Sequence, residues 1–510
     1  MTREQVHRDP KVVTIISCLT LALFVAALDQ TVVATALPSM VGELGGLTHL
    51  PWVVTAYTLA VCLSTPLYGK LGDLFGHKRL YLTALVLFLA GSVLCAVAGS
   101  LPELIAFRFL QGSGAGGMIV GSWAIIGSLL PPAAQGKYQG LTQSAYALAT
   151  ACGPAVGGVL TETLNWRWIF YINIPLCLIT LVMVAAKLRL PEWDRPKPVI
   201  DWPGVVLVSA GISSLVLLVT LGGNTFPWLS VPAFGLAAAT VALLVAVIAV
   251  ERKVHQPLLP PHLFRNKVVR VVLPLAFVLG AVTQAGATFV PLFQQIVDGA
   301  SPAGSGLRMT PFWVVWSVAS AVCGRAIGHF GQYRRFPIFG NALVAAGMVL
   351  LSFMDGATPF WGQALALAVV GIGLGMLSSV MVLAAQNAVG PQDVGLAIST
   401  TTFVRTFGGL LGVSTFGAIF TTVLASSVRQ NLPGGSTDGM SITRAKVDAL
   451  PPGLREQLLG GFESALHGVF LAAAVLAVVG LLLAPRLPGL PLRTHHQSPE
   501  PERLSGERSL

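Results

Sequence analysis

The sequence predicts an all-α integral membrane protein, and three observations support this fold class. The chain of 510 residues is 54% hydrophobic and only 10% charged, with a mean hydropathy of +0.76, which a soluble domain with a polar surface does not reach. Apolar segments of about 18 to 25 residues, long enough to cross a hydrocarbon core of about 30 Å, recur along the chain. The third observation is an internal repeat of glycine positions.

Fourteen segments have the length and composition of membrane-spanning helices. The first has basic residues before it, like a signal peptide, but it is long, holds Asp29 and is followed by thirteen more, so we expect it to be retained. The predicted spans lie at about 12–37, 50–69, 80–99, 103–128, 138–160, 168–186, 203–222, 232–250, 268–295, 309–328, 336–353, 360–385, 395–421 and 465–485.

Lysine and arginine concentrate in alternate loops, which predicts that both termini are cytoplasmic. The basic set includes Lys70, Lys78, Arg79 and Lys137, whereas the other set holds little beyond Arg167 and Arg308. A long loop at about 422–464 falls outside despite its basic residues, because long loops cross largely regardless of charge. The net charge of +10 is therefore a topology signal, and we expect no nucleic-acid partner. The six cysteines have no metal-ligand spacing, so we expect no metal site.

The repeat relates two halves of the chain. An offset of 255 residues pairs Gly69 with Gly324 and Gly76 with Gly331, and it maps helix 2 onto helix 10. The displacement of eight helices indicates two six-helix bundles with two helices inserted between them. Parallel halves of this kind are typical of transporters whose site lies between the halves. The predicted units are an N-terminal bundle at 12–186, a linker with the inserted helices at 187–251, a C-terminal bundle at 252–485 and a disordered tail at 486–510.

Several motifs resemble those of a known family. They are LDQTVVATALP at 28–38, GKLGDLFGHKR at 69–79, RFLQGSGAGG at 108–117, GPAVGG at 153–158 and NWRWIFYINIP at 165–175. Together they resemble the fourteen-span drug:proton antiporter-2 branch of the major facilitator superfamily, over about residues 12 to 485. The resemblance implies drug export in exchange for protons and links Arg108 to proton transfer. Two departures are Leu74, where the family often has arginine, and Gly328, which stands opposite Asp73 in the repeat.

Asp29 and Arg108 are the predicted proton-coupling residues. An ionised carboxylate inside hydrocarbon is costly, so we expect Asp29 to face a cavity, to exchange protons there and to sense a cationic substrate. The alternative is a structural partner of a neighbouring helix. Arg108 is suited to holding a carboxylate or ordering a water chain, and its alternative is a structural ion pair or a snorkelling anchor.

Two glycine-containing motifs are predicted to control the conformation. In the loop formed by Gly69, Asp73, Gly76, Lys78 and Arg79, Asp73 can face a helix N-terminus or an arginine across the interface and so latch one conformation. The alternative is a basic loop that only sets topology. The resemblance makes the second motif an antiporter motif in helix 5, where proline bends the helix and small residues allow close packing; ordinary packing is the alternative. Its residues are Gly153, Pro154, Gly157 and Gly158.

A substrate cavity is predicted from polar and aromatic residues within the spans, although such residues often serve only to bind neighbouring helices. Helix 10 has no acidic residue between Trp313 and Arg325, which argues against dicationic substrates. The candidates are Asp29, Trp52, Tyr57, Gln111, Gln143, Gln284, Phe289, Gln294, Trp313, Trp316 and Arg405.

The sequence thus predicts a monomeric, proton-coupled exporter of lipophilic, cationic drugs in a bacterial cytoplasmic membrane, working by alternating access. Its expected partners are small amphiphilic substrates, protons and the lipid bilayer. The proton gradient supplies energy without a cofactor, and no nucleotide-binding G-x-x-x-x-G-K-[ST] motif is present. One alternative is a dedicated exporter of one lipid, siderophore or antibiotic. Another is a membrane-embedded enzyme, which the lack of HExxH and GxSxG motifs disfavours.

Overall fold

Fourteen helices of fifteen or more residues dominate the described part of the chain. The computed structural model describes residues 10–44, 50–130, 132–188, 202–222, 226–227, 229–251, 261–390, 393–431 and 451–491. Within these ranges the only β-structure is an isolated bridge between Gly222 and Phe226. The helices α1 to α14 run Pro10–Leu44, Leu50–Phe75, His77–Ala96, Leu101–Leu129, Pro132–Thr163, Asn173–Lys187, Trp202–Leu221, Val231–Glu251, Val269–Ile296, Thr310–Phe330, Arg335–Ser352, Phe360–Asn387, Val394–Asn431 and Pro452–Leu483.

The helices have the lengths and compositions of a multi-pass membrane protein. Eleven helical segments among the described residues are long and apolar enough to cross a membrane. The two helices of the predicted insertion, α7 and α8, hold shorter apolar segments at Pro203–Leu218 and Val231–Val247. Helix α5 falls outside both groups because its sequence contains many glutamine, threonine, serine and glycine residues. This is the all-α membrane fold that the sequence predicts.

The two halves repeat the same helix pairings. In the first half α1 packs on α5, and both α2 and α3 pack on α4. In the second half α9 packs on α13, and both α10 and α11 pack on α12. The halves meet where α5 packs on α10 and where α2 packs on α13, which are equivalent contacts under the repeat. Helices α7 and α8 pack on each other, and α7 also contacts α2 and α13.

The repeated glycines occupy equivalent structural positions. Gly76 and Gly331 both have positive φ, at 98° and 69°, in the turns after α2 and α10, where a side chain would strain the backbone. At Gly324 a Cβ atom would collide with the backbone of Gly136 and Gly140 on α5. At Gly69 it would collide with Ser399 and the backbone of α13. The glycines therefore allow the two halves to approach closely.

The C-terminal part is more helical and more ordered than the sequence predicts. Helix α13 continues to Asn431 and α14 begins at Pro452, so both ends of the predicted loop at 422–464 are helical. Hydropathy locates the apolar part of a helix and does not detect a polar helical extension. The start of the predicted tail is also packed, since Leu487 is buried and Tyr333 donates a hydrogen bond to the Pro488 carbonyl. The linker at 189–201, the centre of the loop at 432–450 and the tail at 492–510 lie outside the described residues.

Candidate functional site

A hydrogen-bonded cluster surrounds Asp29 on α1. The Arg108 guanidinium, from α4, donates to Asp29 Oδ2 at 2.6 Å. Asp29 Oδ1 accepts hydrogen bonds from Gln111 Nε2 at 2.8 Å and from Asn173 Nδ2, at the start of α6, at 2.7 Å. Gln111 also donates to the Ser92 hydroxyl of α3 at 2.8 Å. Residues of α4 and α6 thus bind the carboxylate of α1, and Ser92 of α3 joins the same cluster through Gln111.

This cluster lies inside the first bundle rather than on an open cavity. Asp29 is 2% exposed and Arg108 is 1% exposed. Arg108 also lies over the Tyr57 ring, with its Cζ 4.0 Å from the ring centroid. The two opposite charges compensate each other, so removal of either one would leave a buried, uncompensated charge. The expectation that Asp29 faces a cavity is not met in this conformation, because Arg108 reaches Asp29 from the neighbouring helix.

Asn173 and Ser92 belong to this cluster but were absent from the sequence-based candidates. Asn173 also donates to the Ser92 hydroxyl at 3.3 Å, which links α6 to α3. A signal existed for Asn173, because it is an amide residue within the apolar part of NWRWIFYINIP. A serine in a membrane helix is too common to be informative by itself.

Asp73 joins the two halves at the predicted cytoplasmic side. Its carboxylate accepts hydrogen bonds from the backbone nitrogens of Gly395 at 3.1 Å and Leu396 at 3.0 Å, in the first turn of α13. A carboxylate at a helix N-terminus is favourable because it satisfies free N–H groups and the helix dipole. The predicted contact of Asp73 with a helix N-terminus is therefore present. His77, which was not predicted, lies 3.2 Å from Asp73 through Nε2.

The two cations of the same loop do not join the halves. Lys78 donates to the carbonyls of Ala185 at 3.0 Å and Leu188 at 2.7 Å, at the end of α6 in its own half. Arg79 is exposed. Within the predicted loop, the contact between the halves therefore comes from Asp73, together with the close approach at Gly69.

Helices α5 and α10 form a second contact between the halves. Ser144 and Ser317 each donate a hydrogen bond from the hydroxyl group to the backbone carbonyl of the other. Nearer the predicted cytoplasmic side, Gln139 donates to Gln386 of α12 at 2.8 Å, and Gln386 donates to the carbonyl of Trp123 on α4 at 3.2 Å. All these bonds join the halves, and the Gln139–Gln386 bond and the Asp73 contact lie towards the predicted cytoplasmic side.

The helix 5 motif lies beside both halves, since a Cβ atom on Gly306 of the second half would be 3.8 Å from the Pro154 Cβ. A Cβ atom on Gly153 would collide with Thr31, so this glycine lets α5 approach α1. Pro154 lies inside α5, and Gly157 is buried. A Cβ atom on Gly158 would meet no other atom within 4 Å. The motif therefore combines packing against α1 with a position beside the second half.

Three of the predicted cavity residues meet near Ser378 of α12. Trp313 and Trp316 stack with ring centroids 5.5 Å apart and planes at 16°. The Trp316 indole donates to the Ser378 hydroxyl at 3.1 Å, and Gln143, from the other half, donates to the Ser378 carbonyl at 3.5 Å. This group spans both halves.

The other cavity candidates are dispersed. Phe289 is buried against Phe420, and Gln294 is fully buried and donates to Gln363 at 3.4 Å. Trp52 and Arg405 are half-buried, and Gln284 is exposed. The structure therefore brings together the Asp29 group and the Trp316 group, but it does not assemble all the candidates into one site.

At the predicted outer side of the first bundle, an ion pair joins the segment before α6 to the end of α1. Arg167 donates to Glu43, at the end of α1, at 2.6 Å, and the Trp166 indole donates to the same carboxylate at 2.7 Å. The hydrogen bond from Arg167, then that from Trp166, lowers the pKa of the Glu43 carboxyl below its usual range. The side chains remain partly exposed, so this pair contributes less than about 1 kcal/mol to stability.

Comparisons with known proteins are consistent with this architecture. The Major Facilitator Superfamily profile matches residues 19–413. An uncharacterized MFS-type transporter of Mycobacterium tuberculosis is 36% identical over 94% of this chain and 70% of its own. Multidrug transporter protein MdtP of Bacillus subtilis is 32% identical over 88% of this chain and 84% of its own. The solved proton:xylose symporter XylE, 16% identical, superposes with a TM-score of 0.62 over 94% of this chain and 96% of its own.

Proposed function

The chain belongs to the major facilitator superfamily, and from that premise we propose that it exports amphiphilic drugs from a bacterial cell in exchange for protons. Its membrane fold and its similarity to a multidrug transporter support export of small molecules. Proton exchange is inferred from the chemistry of the Asp29 cluster.

One observation carries the proton-coupling part of this proposal. Asp29 is the one carboxylate among the described residues that is almost fully buried in the membrane region, and it is paired there with Arg108. Protonation of Asp29 removes the negative charge and leaves Arg108 buried without a counter-ion, which is costly. The cluster therefore has two protonation states that favour different packings of α1 against α4. A change of this kind couples a proton to a movement of the helices.

Alternating access would follow from opening the contacts between the halves. Asp73 and the Gln139–Gln386 bond close the predicted cytoplasmic side, and their release would open it. A proton that enters from outside and neutralises Asp29 promotes substrate release, and its loss to the cytoplasm restores the pair with Arg108. The membrane potential adds about 2.3 kcal/mol per charge moved per 100 mV.

The test is proton release from inverted vesicles when amphiphiles of positive, zero and negative charge are added. We expect the wild type to release protons with several compounds and Asp29→Asn to release none, because asparagine cannot exchange a proton. Asp29→Glu keeps a carboxylate and should retain part of the response. Asp355→Asn removes an exposed carboxylate in a loop and is the matched control. Equal responses of the wild type and Asp29→Asn would remove Asp29 from the coupling mechanism.

A further inference from the structure

We propose that Arg405 selects substrates by charge, so that the exported amphiphiles are organic anions rather than the cations that Asp29 alone suggests. The inference rests on the proposed export function, but it concerns only the charge of the substrate. Its basis is the position of Arg405 between the halves and the lack of a described carboxylate partner for it.

The direction of the Arg405 side chain follows from its helix. Phe403 and Leu410, on the same helix α13, pack against a cluster formed by α2, α7 and α8. Successive residues of an α-helix are separated by about 100°, so Arg405 points roughly 200° away from Phe403. That direction leads towards α5 of the other half. Accordingly, the Arg405 Cζ lies 5.9 Å from the centroid of the Tyr146 ring on α5.

The neighbours of Arg405 are polar and accessible. Arg405 and Tyr146 are half-buried, and Gln30 is exposed. The Tyr146 hydroxyl lies 3.5 Å from Gln30 Oε1, and Gln30 directly follows Asp29 on α1. A guanidinium, a phenol and an amide from α13, α5 and α1 thus lie close together where the two halves face each other. This set offers several hydrogen-bond donors and one permanent positive charge.

The charges favour an anion at this place. Arg108 is neutralised by Asp29, whereas the described ion pairs leave Arg405 with only an aromatic ring. An uncompensated cation within the membrane is costly, and a bound carboxylate, sulfonate or phosphate would lower that cost. Arginine also binds such groups through two parallel hydrogen bonds.

A cationic substrate meets two obstacles in the same region. It is repelled by Arg405, and it reaches the Asp29 carboxylate only by displacing Arg108 and the donors from Gln111 and Asn173. Breaking a buried, hydrogen-bonded ion pair leaves charges without partners and is therefore strongly unfavourable. The carboxylate that suggests cations from the sequence is therefore occupied by a cation of the protein itself.

Two xanthene dyes of similar size and opposite charge test this proposal, fluorescein as the anion and rhodamine 123 as the cation. Binding to the purified full chain in nanodiscs is measured by fluorescence polarisation at pH 7.4. We expect the wild type to bind fluorescein at least about tenfold more tightly than rhodamine 123. Arg405→Gln should weaken fluorescein binding about tenfold or more and should not weaken rhodamine binding.

Two further variants keep the test independent of folding defects. Arg405→Lys retains the charge and should recover part of the fluorescein affinity. Arg335→Gln removes an exposed arginine at the start of α11 and should bind both dyes as the wild type does. Stronger binding of rhodamine, binding of neither dye, or full fluorescein affinity in Arg405→Gln would overturn the proposal. Since this assay measures binding without flux, its failure leaves proton coupling through Asp29 intact, and loss of coupling leaves the dye preference intact.

Discussion

A double-mutant cycle can measure the interaction energy between the buried side chains of Asp29 and Arg108. We expect Arg108→Gln to lower the stability by about 3–5 kcal/mol, because Asp29 is left buried without its counter-ion. Asp29→Asn should also destabilise, since Arg108 is then unpaired. The combination Asp29→Asn with Arg108→Gln should be less destabilised than the sum of the single variants. Thermal unfolding in detergent at one pH measures all four proteins. Additive losses would show that the two side chains do not interact.

Single residues differ in how well the sequence predicts them. Asp29 and Arg108 could be identified because charged side chains are rare inside apolar spans. His77 could not, since a loop histidine occurs for many reasons, and the only signal for Asn173 was an amide within an apolar segment. The pairing itself could not be predicted either, because it joins residues separated by 79 positions on α1 and α4. This pairing alters the functional interpretation, since it neutralises the only acid on which a cationic substrate was predicted.

The sequence predicts the positions of the helices better than it predicts their ends or the helices that they contact. Each predicted span coincides with a described helix, because an apolar segment of membrane length satisfies its own backbone hydrogen bonds only as a helix. Helix ends were less predictable, as the start of α14 shows. The partners of each helix were predictable only through the repeat, which relates α2 to α10 and so relates their contacts with α13 and α5.

The contact of α2 with α13 is expected to hold the two halves together, and cysteine labelling can test whether it does. Ser399 of α13 is fully buried next to Gly69, so a cysteine there should be protected while this contact is closed. The test protein carries Cys152→Ala, which removes an exposed cysteine, and Ser399→Cys, which introduces the reporter. In this protein Asp73→Ala removes the carboxylate that caps α13 and should lower the stability of the closed contact by about 1 kcal/mol. We expect about fivefold more labelling by an impermeant maleimide in inverted vesicles.

A loop carboxylate provides the control for this experiment. Asp355 is exposed in the turn before α12, so Asp355→Ala should leave the labelling at position 399 unchanged. The remaining cysteines at positions 18, 62, 95, 177 and 323 are buried. Unchanged labelling in Asp73→Ala would show that the hydrogen bonds from Gly395 and Leu396 do not hold this side closed.

The whole molecule is organised by its pseudo-symmetry. The contact of α5 with α10 and the contact of α2 with α13 are related by the repeat, and both depend on a glycine, Gly324 and Gly69. The contacts differ in chemistry, because the carboxylate of Asp73 has Gly328 at the equivalent position. If the halves move as rigid bodies, a disturbance at one contact must therefore open the other.

Gly324→Val tests this rigid-body movement. The added side chain would collide with the backbone of Gly136 and Gly140, which cannot move aside as a flexible side chain can. Overpacking of this kind costs about 1–3 kcal/mol, which corresponds to a roughly 5- to 150-fold shift between two conformations. We expect Gly324→Val to increase maleimide labelling at Ser399→Cys, although position 399 belongs to the other contact. Gly417→Val is the matched control and should not change the labelling, because a Cβ atom added at Gly417 would meet no other atom within 4 Å. Increased labelling in Gly324→Val but not in Gly417→Val would mean that the two contacts open together, as alternating access requires. If position 399 stays protected in both variants, each contact opens independently.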